Sequence, residues 1–151
     1  MSSMGGRLSF AGVGACPATQ FPLEGLSEAL AVEVAPVGIK VLIAEPGSFR
    51  TSFAGGDALR QTAQMPEYAE AVGAVRKGLP ESDGKQSGDR AKAAAAILKA
   101  LDSEYTPLRP ALGNDAFDAI TQHADLSLEQ ALAWEPVSRG TDFDDRDGLG
   151  D

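Results

Sequence analysis

Apolar positions recur at helical spacing between Pro22 and Val34, where Leu23, Leu26, Leu30 and Val34 share one side and Glu24, Ser27, Glu28 and Glu33 stand between them. This pattern predicts an amphipathic helix. Pro22 lacks an N–H and restricts the residue before it, so the helix is expected to start at Pro22 as its first residue. Gly38 breaks the period, and Ile39 to Ala44 (IKVLIA) then reads as a short buried strand of the parallel-sheet kind, closed by Glu45, Pro46 and Gly47. Residues 1–15 (MSSMGGRLSFAGVGA) show neither period and have the composition of a loop.

Beyond Thr51 the chain is polar and rich in Gly, Ala and Gln up to Gly88, with one helix expected around Pro66 to Lys77 and a turn at Gly84 to Gly88. Asp89 is placed to cap the strong helix former RAKAAAAILKAL, whose apolar edge holds Ile97, Leu98 and Leu101. Pro107 to Leu112 reads as a brief strand that Pro110 would confine to a sheet edge. Asn114 opens a helix with Phe117 and Ile120, and Ser127 with Gln130 has the form of a capping box starting a last helix through Trp134. Phe117 and Trp134 are expected to anchor the core beneath these helices. The acidic, Gly-rich stretch 138–151 reads as a tail after a domain spanning residues 1–137.

Helices alternating with strands point to an α/β fold. Two strands cannot make a doubly wound sheet, so the chain is expected to be the C-terminal portion of a Rossmann-like sheet whose N-terminal strands are absent.

Composition narrows the function. A hydrophobic fraction of 43% and a charged fraction of 23% suit a globular protein. The net charge of -9 opposes binding to phosphate backbones or anionic lipid, so neither nucleic acid nor membrane is expected as a partner. No apolar run approaches the roughly 20 residues that span a bilayer, and no segment reads as a signal peptide. Cytoplasmic location is the expectation. With one cysteine, Cys16, and one histidine, His123, a metal site has little material, and Asp142, Asp144, Asp145 and Asp147 lack calcium-loop spacing. A lone cysteine with no histidine near it in sequence reads as a small buried hydrophobe before a nucleophile.

Four stretches carry a family resemblance: SSMGG at Ser2 to Gly6, QFPLEGLSEALAVEVAPVGIKV at Gln20 to Val41, EPGSFRTSF at Glu45 to Phe53, and GDRAKAAAAILKAL through the Leu112–Gly113 turn. Together they resemble the C-terminal half of the short-chain dehydrogenase/reductase family, single-domain Rossmann oxidoreductases that use NAD(H) or NADP(H). The resemblance implies a serine that orients the substrate carbonyl, a tyrosine that acts as general acid or base, and a lysine four residues on that tunes the tyrosine and holds the nicotinamide ribose. Ser3 matches the serine, while Cys16 stands at the tyrosine position and Gln20 at the lysine position.

Cysteine is shorter than tyrosine, and neutral Gln20 supplies none of the positive charge that would activate an acid beside it. Losing a positioned acid/base group costs roughly 10²–10⁴ in rate. A helix starting at Pro22 would also leave Cys16 and Gln20 in the preceding loop. Pro46, Gly47 and Thr51 match the turn that approaches the nicotinamide end of NAD(P), but no Gly-rich dinucleotide turn follows a strand. The expectation is an NAD(P)-linked carbonyl/alcohol oxidoreductase, truncated and catalytically degraded. The alternatives are a noncatalytic module that pairs a bare strand Ile39–Ala44 and the first helix with a full-length relative, as a homo- or hetero-oligomer, or a gene remnant.

Overall fold

In a computed structural model, the structure describes residues 1–55 and 59–143. The chain divides into two compact units, Met1–Ile120 and Thr121–Asp151.

The first unit is built around a short parallel pairing. Strand β1 (Glu45–Pro46) lies beside β2 (Ala111–Leu112), with Glu45 opposite Ala111 and Pro46 opposite Leu112. Hydrogen bonds extend this contact beyond the named strands, because the N–H groups of Ile43, Glu45 and Gly47 donate to the carbonyls of Leu108, Pro110 and Leu112 at 2.7, 3.1 and 2.9 Å. Alternate residues face the other way, so that the Ala44 carbonyl accepts from Ser2 N–H at 2.9 Å.

The expected strand Ile39–Ala44 is therefore displaced toward its C-terminal end, and residues 43–47 have neighbours on both sides. The expected bare edge Ile39–Ala44 is corrected at its C-terminal end, where Ile43 and Ala44 are paired. Pro46 is tolerated because its ring nitrogen points away from the donor side. Pro110 limits the ladder, since it has no N–H to return to the carbonyl of Ile43.

The first helix also departs from expectation. Helix α1 runs Ala15–Val34 with Pro22 inside it. Pro22 removes the donor to the Ala18 carbonyl, but both residues are exposed, so water can take that carbonyl and the helix continues. Gly38, in the left-handed conformation at φ 77°, ends the short turn that follows. Apart from Val34, the expected apolar side of α1 is turned outward, with Leu26 at 69% and Leu30 at 44% exposed. The inward stripe instead comprises Cys16, Gln20, Glu24, Ser27, Ala31 and Val34, at the three- and four-residue spacing of one helix face.

Helix α2 (Ala69–Glu81) follows a single 3₁₀ turn at Pro66–Tyr68, close to the expected 66–77. Helix α3 (Arg90–Asp102) is capped as its sequence predicts, Asp89 accepting from the N–H groups of Ala91 and Lys92 at 2.8 and 3.3 Å. Among the described residues the apolar core is small: Leu8, Ile43, Ala44, Ala54, Leu112 and Ala116.

Helix α4 spans Asn114–Ala133 and passes from the first unit into the second. It shows no break at Ser127, because no Gly or Pro interrupts 114–133 and the segment is rich in strong helix formers. The Ser127 hydroxyl, expected to cap a new helix, donates instead to the His123 carbonyl one turn back at 2.8 Å. Helix α5 (Glu135–Arg139) follows. Phe117 and Trp134 are not core anchors, being 60% and 64% exposed; within the first unit, α4 turns the small Ala116 inward instead. Of the acidic tail, Asp144, Asp145 and Asp147 lie outside the described residues. No helix among those described is long and apolar enough to cross a membrane, and no three His, Cys, Asp or Glu side chains among the described residues are placed to hold a metal ion.

Candidate functional site

Ser3 sits at the foot of a 3₁₀ turn (Met4–Gly6) that its own side chain caps, accepting from Gly5 N–H at 3.1 Å. Its hydroxyl donates across 43 positions of sequence to the Pro46 carbonyl at 3.4 Å. The alternation along residues 43–47 produces this meeting, because Ala44 and Pro46 present their carbonyls to Ser2 and Ser3. Two of the residues singled out from sequence thus come together through the backbone ladder.

Cys16 and Gln20 lie in the first turns of α1, contrary to the loop expected before Pro22. They stand at i and i+4 on the inward face, both half-buried, so the geometric relation that a helix gives to such a pair is present. Gln20 Oε1 is buried and has no hydrogen-bond partner among the described residues. A neutral amide at this position can accept and donate but brings no charge to the thiol.

Pro46 ends β1, Gly47 follows it, and Thr51 precedes the next turn. The side of Gly47 that lacks a Cβ is filled by the Asp115 carboxylate, which accepts from Ser48 N–H at 2.7 Å and with which a Cβ on Gly47 would collide. The Thr51 hydroxyl is exposed and accepts from Phe53 N–H at 3.3 Å, capping the turn Ser52–Ala54. The close approach of Asp115 favours glycine at 47.

A groove of about 220 Å³ lies between the loop after Ser3 and the segment leading into α2, lined by Gly12, Thr62, Met65, Tyr68, Val72 and Arg76 among others. Gly12 takes φ 85° and closes against Val72, an approach that favours glycine. The far wall is held by two reciprocal bonds, Arg76 Nη2 to the Thr62 carbonyl at 2.6 Å and Gln61 Nε2 to the Arg76 carbonyl at 3.0 Å.

Sequence reasoning missed a charged cluster next to these residues. Glu24 from α1 and Glu45 from β1 are 3% and 1% exposed. Arg109 reaches Glu24 at 2.9 Å, Glu28 at 2.7 Å and Glu45 at 3.6 Å, and Arg7 reaches Glu45 at 3.4 Å. Burial, with the Glu24 carboxyl beside it, pushes the Glu45 carboxyl up to about 7. The hydrogen bond from Arg109 holds exposed Glu28 below the usual carboxylate range. Glu24 reads in sequence as a polar position on a solvated face, and only its register with Cys16 and Gln20 signals that it turns inward.

No family model matches the chain. An oxidoreductase of Botryotinia fuckeliana, BOA17, is 34% identical over 138 residues, which are 91% of this chain and 50% of that protein. A 3-ketodihydrosphingosine reductase of Bacteroides thetaiotaomicron is 34% identical over 114 residues, 75% of this chain and 42% of its own length. A solved short-chain dehydrogenase from Streptomyces avermitilis superposes with a TM-score of 0.82 at 56% identity, covering 94% of this chain and 50% of that one. The chain thus spans about half the length of the relatives it matches.

Proposed function

The chain matches the C-terminal half of the short-chain dehydrogenase/reductase family, and from that premise we propose that it is a catalytically degraded relative of NAD(P)-linked enzymes of the carbonyl/alcohol class. The observation that supports this reading is the placement of Ser3 beside Pro46 and of Cys16 and Gln20 on one face of α1. Ser3 is held against Pro46 by a hydrogen bond, while Cys16 and Gln20, to which the resemblance assigns the family's tyrosine and lysine positions, share one inward face of α1.

The helical geometry leaves side-chain chemistry as the main defect. A thiol on a single methylene falls short of the oxygen a phenol would reach, and Gln20 cannot stabilise the anion formed when an acid gives up its proton. In this proposal the groove beside Gly12 and Arg76 receives the substrate body, and NAD(P), which the resemblance implies, is not held by Pro46, Gly47 and Thr51 alone.

Incubating the purified chain with NADH or NADPH and a panel of aldehydes, ketones and alcohols tests the proposal. No oxidation or reduction of the nicotinamide above the blank is expected. Turnover that Cys16→Ala abolishes would overturn the reading, because it would show that the thiol does the work of the missing acid.

A further inference from the structure

Glu24 and Glu45 are the buried titratable groups to which the proposed chemistry gives no task. They belong to different elements, α1 and β1, and meet beside the loop carrying Ser2 to Arg7. Three carboxyls (Glu24, Glu28 and Glu45) share two guanidiniums (Arg7 and Arg109), so the fully ionised cluster carries an excess negative charge inside the protein. Arg109 Nε has one hydrogen to give and lies at 2.9 Å from Glu24 but 3.6 Å from Glu45, so Glu24 receives it. The second nitrogen, Nη2, is taken by Glu28 at 2.7 Å. Glu45 is left with a long contact to half-exposed Arg7 at 3.4 Å.

The same cluster holds an acceptor without a donor. Glu24 Oε1 is buried and has no hydrogen-bond partner among the described residues, beside Gly6 and the Ser2 hydroxyl, where a Cβ on Gly6 would collide with it. Asp115, the other acidic group near this strand, is committed to Ser48 N–H two residues beyond Pro46. Two buried carboxyls that approach each other with too little positive charge between them avoid repulsion by keeping a proton.

We infer that Glu45 keeps its proton well above the usual carboxylate range and donates it to Glu24, forming an acid clasp that fastens α1 to the strand and opens as the pH rises through neutrality. Opening would bear on the candidate site, because α1 carries Cys16 and Gln20 and Glu45 adjoins Pro46. The clasp itself depends only on the cluster and stands whether or not the chain has lost its catalysis.

The direction of the pH effect follows from linkage. Glu45 holds its proton more tightly in the folded chain than in the unfolded one, its value being raised from 4.5 to about 7. The stabilisation is fully present below pH 4.5 and is lost as the pH rises through about 7. Most buried carboxylates paired with arginine act in the opposite sense.

Urea unfolding of the 151-residue chain at a series of pH values, wild type against Glu45→Gln, reads this out. The wild-type folding equilibrium is expected to weaken by about tenfold per pH unit between roughly pH 5.5 and 7 and to level off above, with Glu45→Gln flat across the same range. Parallel profiles, or a wild type that gains stability over this range, would overturn the clasp. If Glu45→Gln does not fold, infrared spectra of the native chain carrying carboxyl-labelled glutamate decide instead. A protonated carboxyl band present near pH 6 and gone near pH 8.5 supports the inference, and its absence at both overturns it.

Discussion

The two sides of α1 divide the work of the molecule in an unusual way. On the inner side Glu24 is 3% exposed and tied to Arg109, with Cys16, Gln20 and Ser27 in line with it. On the outer side Leu26 and Val32 are 69% and 73% exposed. Hydrophobicity alone would have turned the helix over, since each buried leucine gains roughly 1.5–3 kcal/mol. The observed orientation shows that burial follows the available partner. The strand and Arg109 offer charge complementarity and little apolar area, so the polar face docks.

That contrast can be broken most directly at its centre. Replacing Arg109 with Met removes the guanidinium shared by three carboxyls and leaves buried Glu24 and Glu45 poorly compensated. A loss of about 3–5 kcal/mol in urea unfolding at neutral pH is expected. A cost comparable to a surface substitution would mean that the inner face is not what fastens α1.

A smaller effect is expected where the strand meets α4. Gly47→Ala drives a methyl group into the Asp115 carboxylate and should cost about 1–3 kcal/mol, with loss of the Ser48 N–H bond visible as faster amide exchange at that residue. Pairing it with Asp115→Ala should recover part of the loss, which would locate the strain in that contact.

The outer side supplies the smallest effect. Leu26→Gln should leave unfolding of the isolated chain within about 0.5 kcal/mol of wild type, because the leucine is already in water. A markedly larger loss would show that the exposed face packs on something in solution, and the contrast between the two sides would need redrawing.

What could be read from sequence was local. Asp89 and the alanine-rich helix behind it required only neighbouring residues to be right, and so did Pro110, whose missing N–H limits the ladder by itself. The start of α1 was not legible, because the cost of Pro22 depends on whether the Ala18 carbonyl faces water, which is a tertiary fact. Nor was the orientation of α1, whose partner Arg109 lies 85 residues beyond Glu24. The break expected at Ser127 failed because a capping pattern inside a continuous run of helix formers has no competing conformation to select. In the candidate site, Cys16 and Gln20 would pass as ordinary residues without the family resemblance, and the approach of Ser3 to Pro46 follows from strand alternation that no single segment displays.

The alternation of donors along residues 43–47 also fixes the parity of the chain. Pro46 can occupy only a slot whose nitrogen is turned from Leu108–Leu112. A slip of one residue would carry Pro46 into a donor slot and bring the Ser2 segment a carbonyl from the wrong residue. Pro46 thus acts as a key cut for one lock position. Deleting a single residue between Gly38 and Val41 must be absorbed upstream, in the turn, because the paired segment has no second register to fall into.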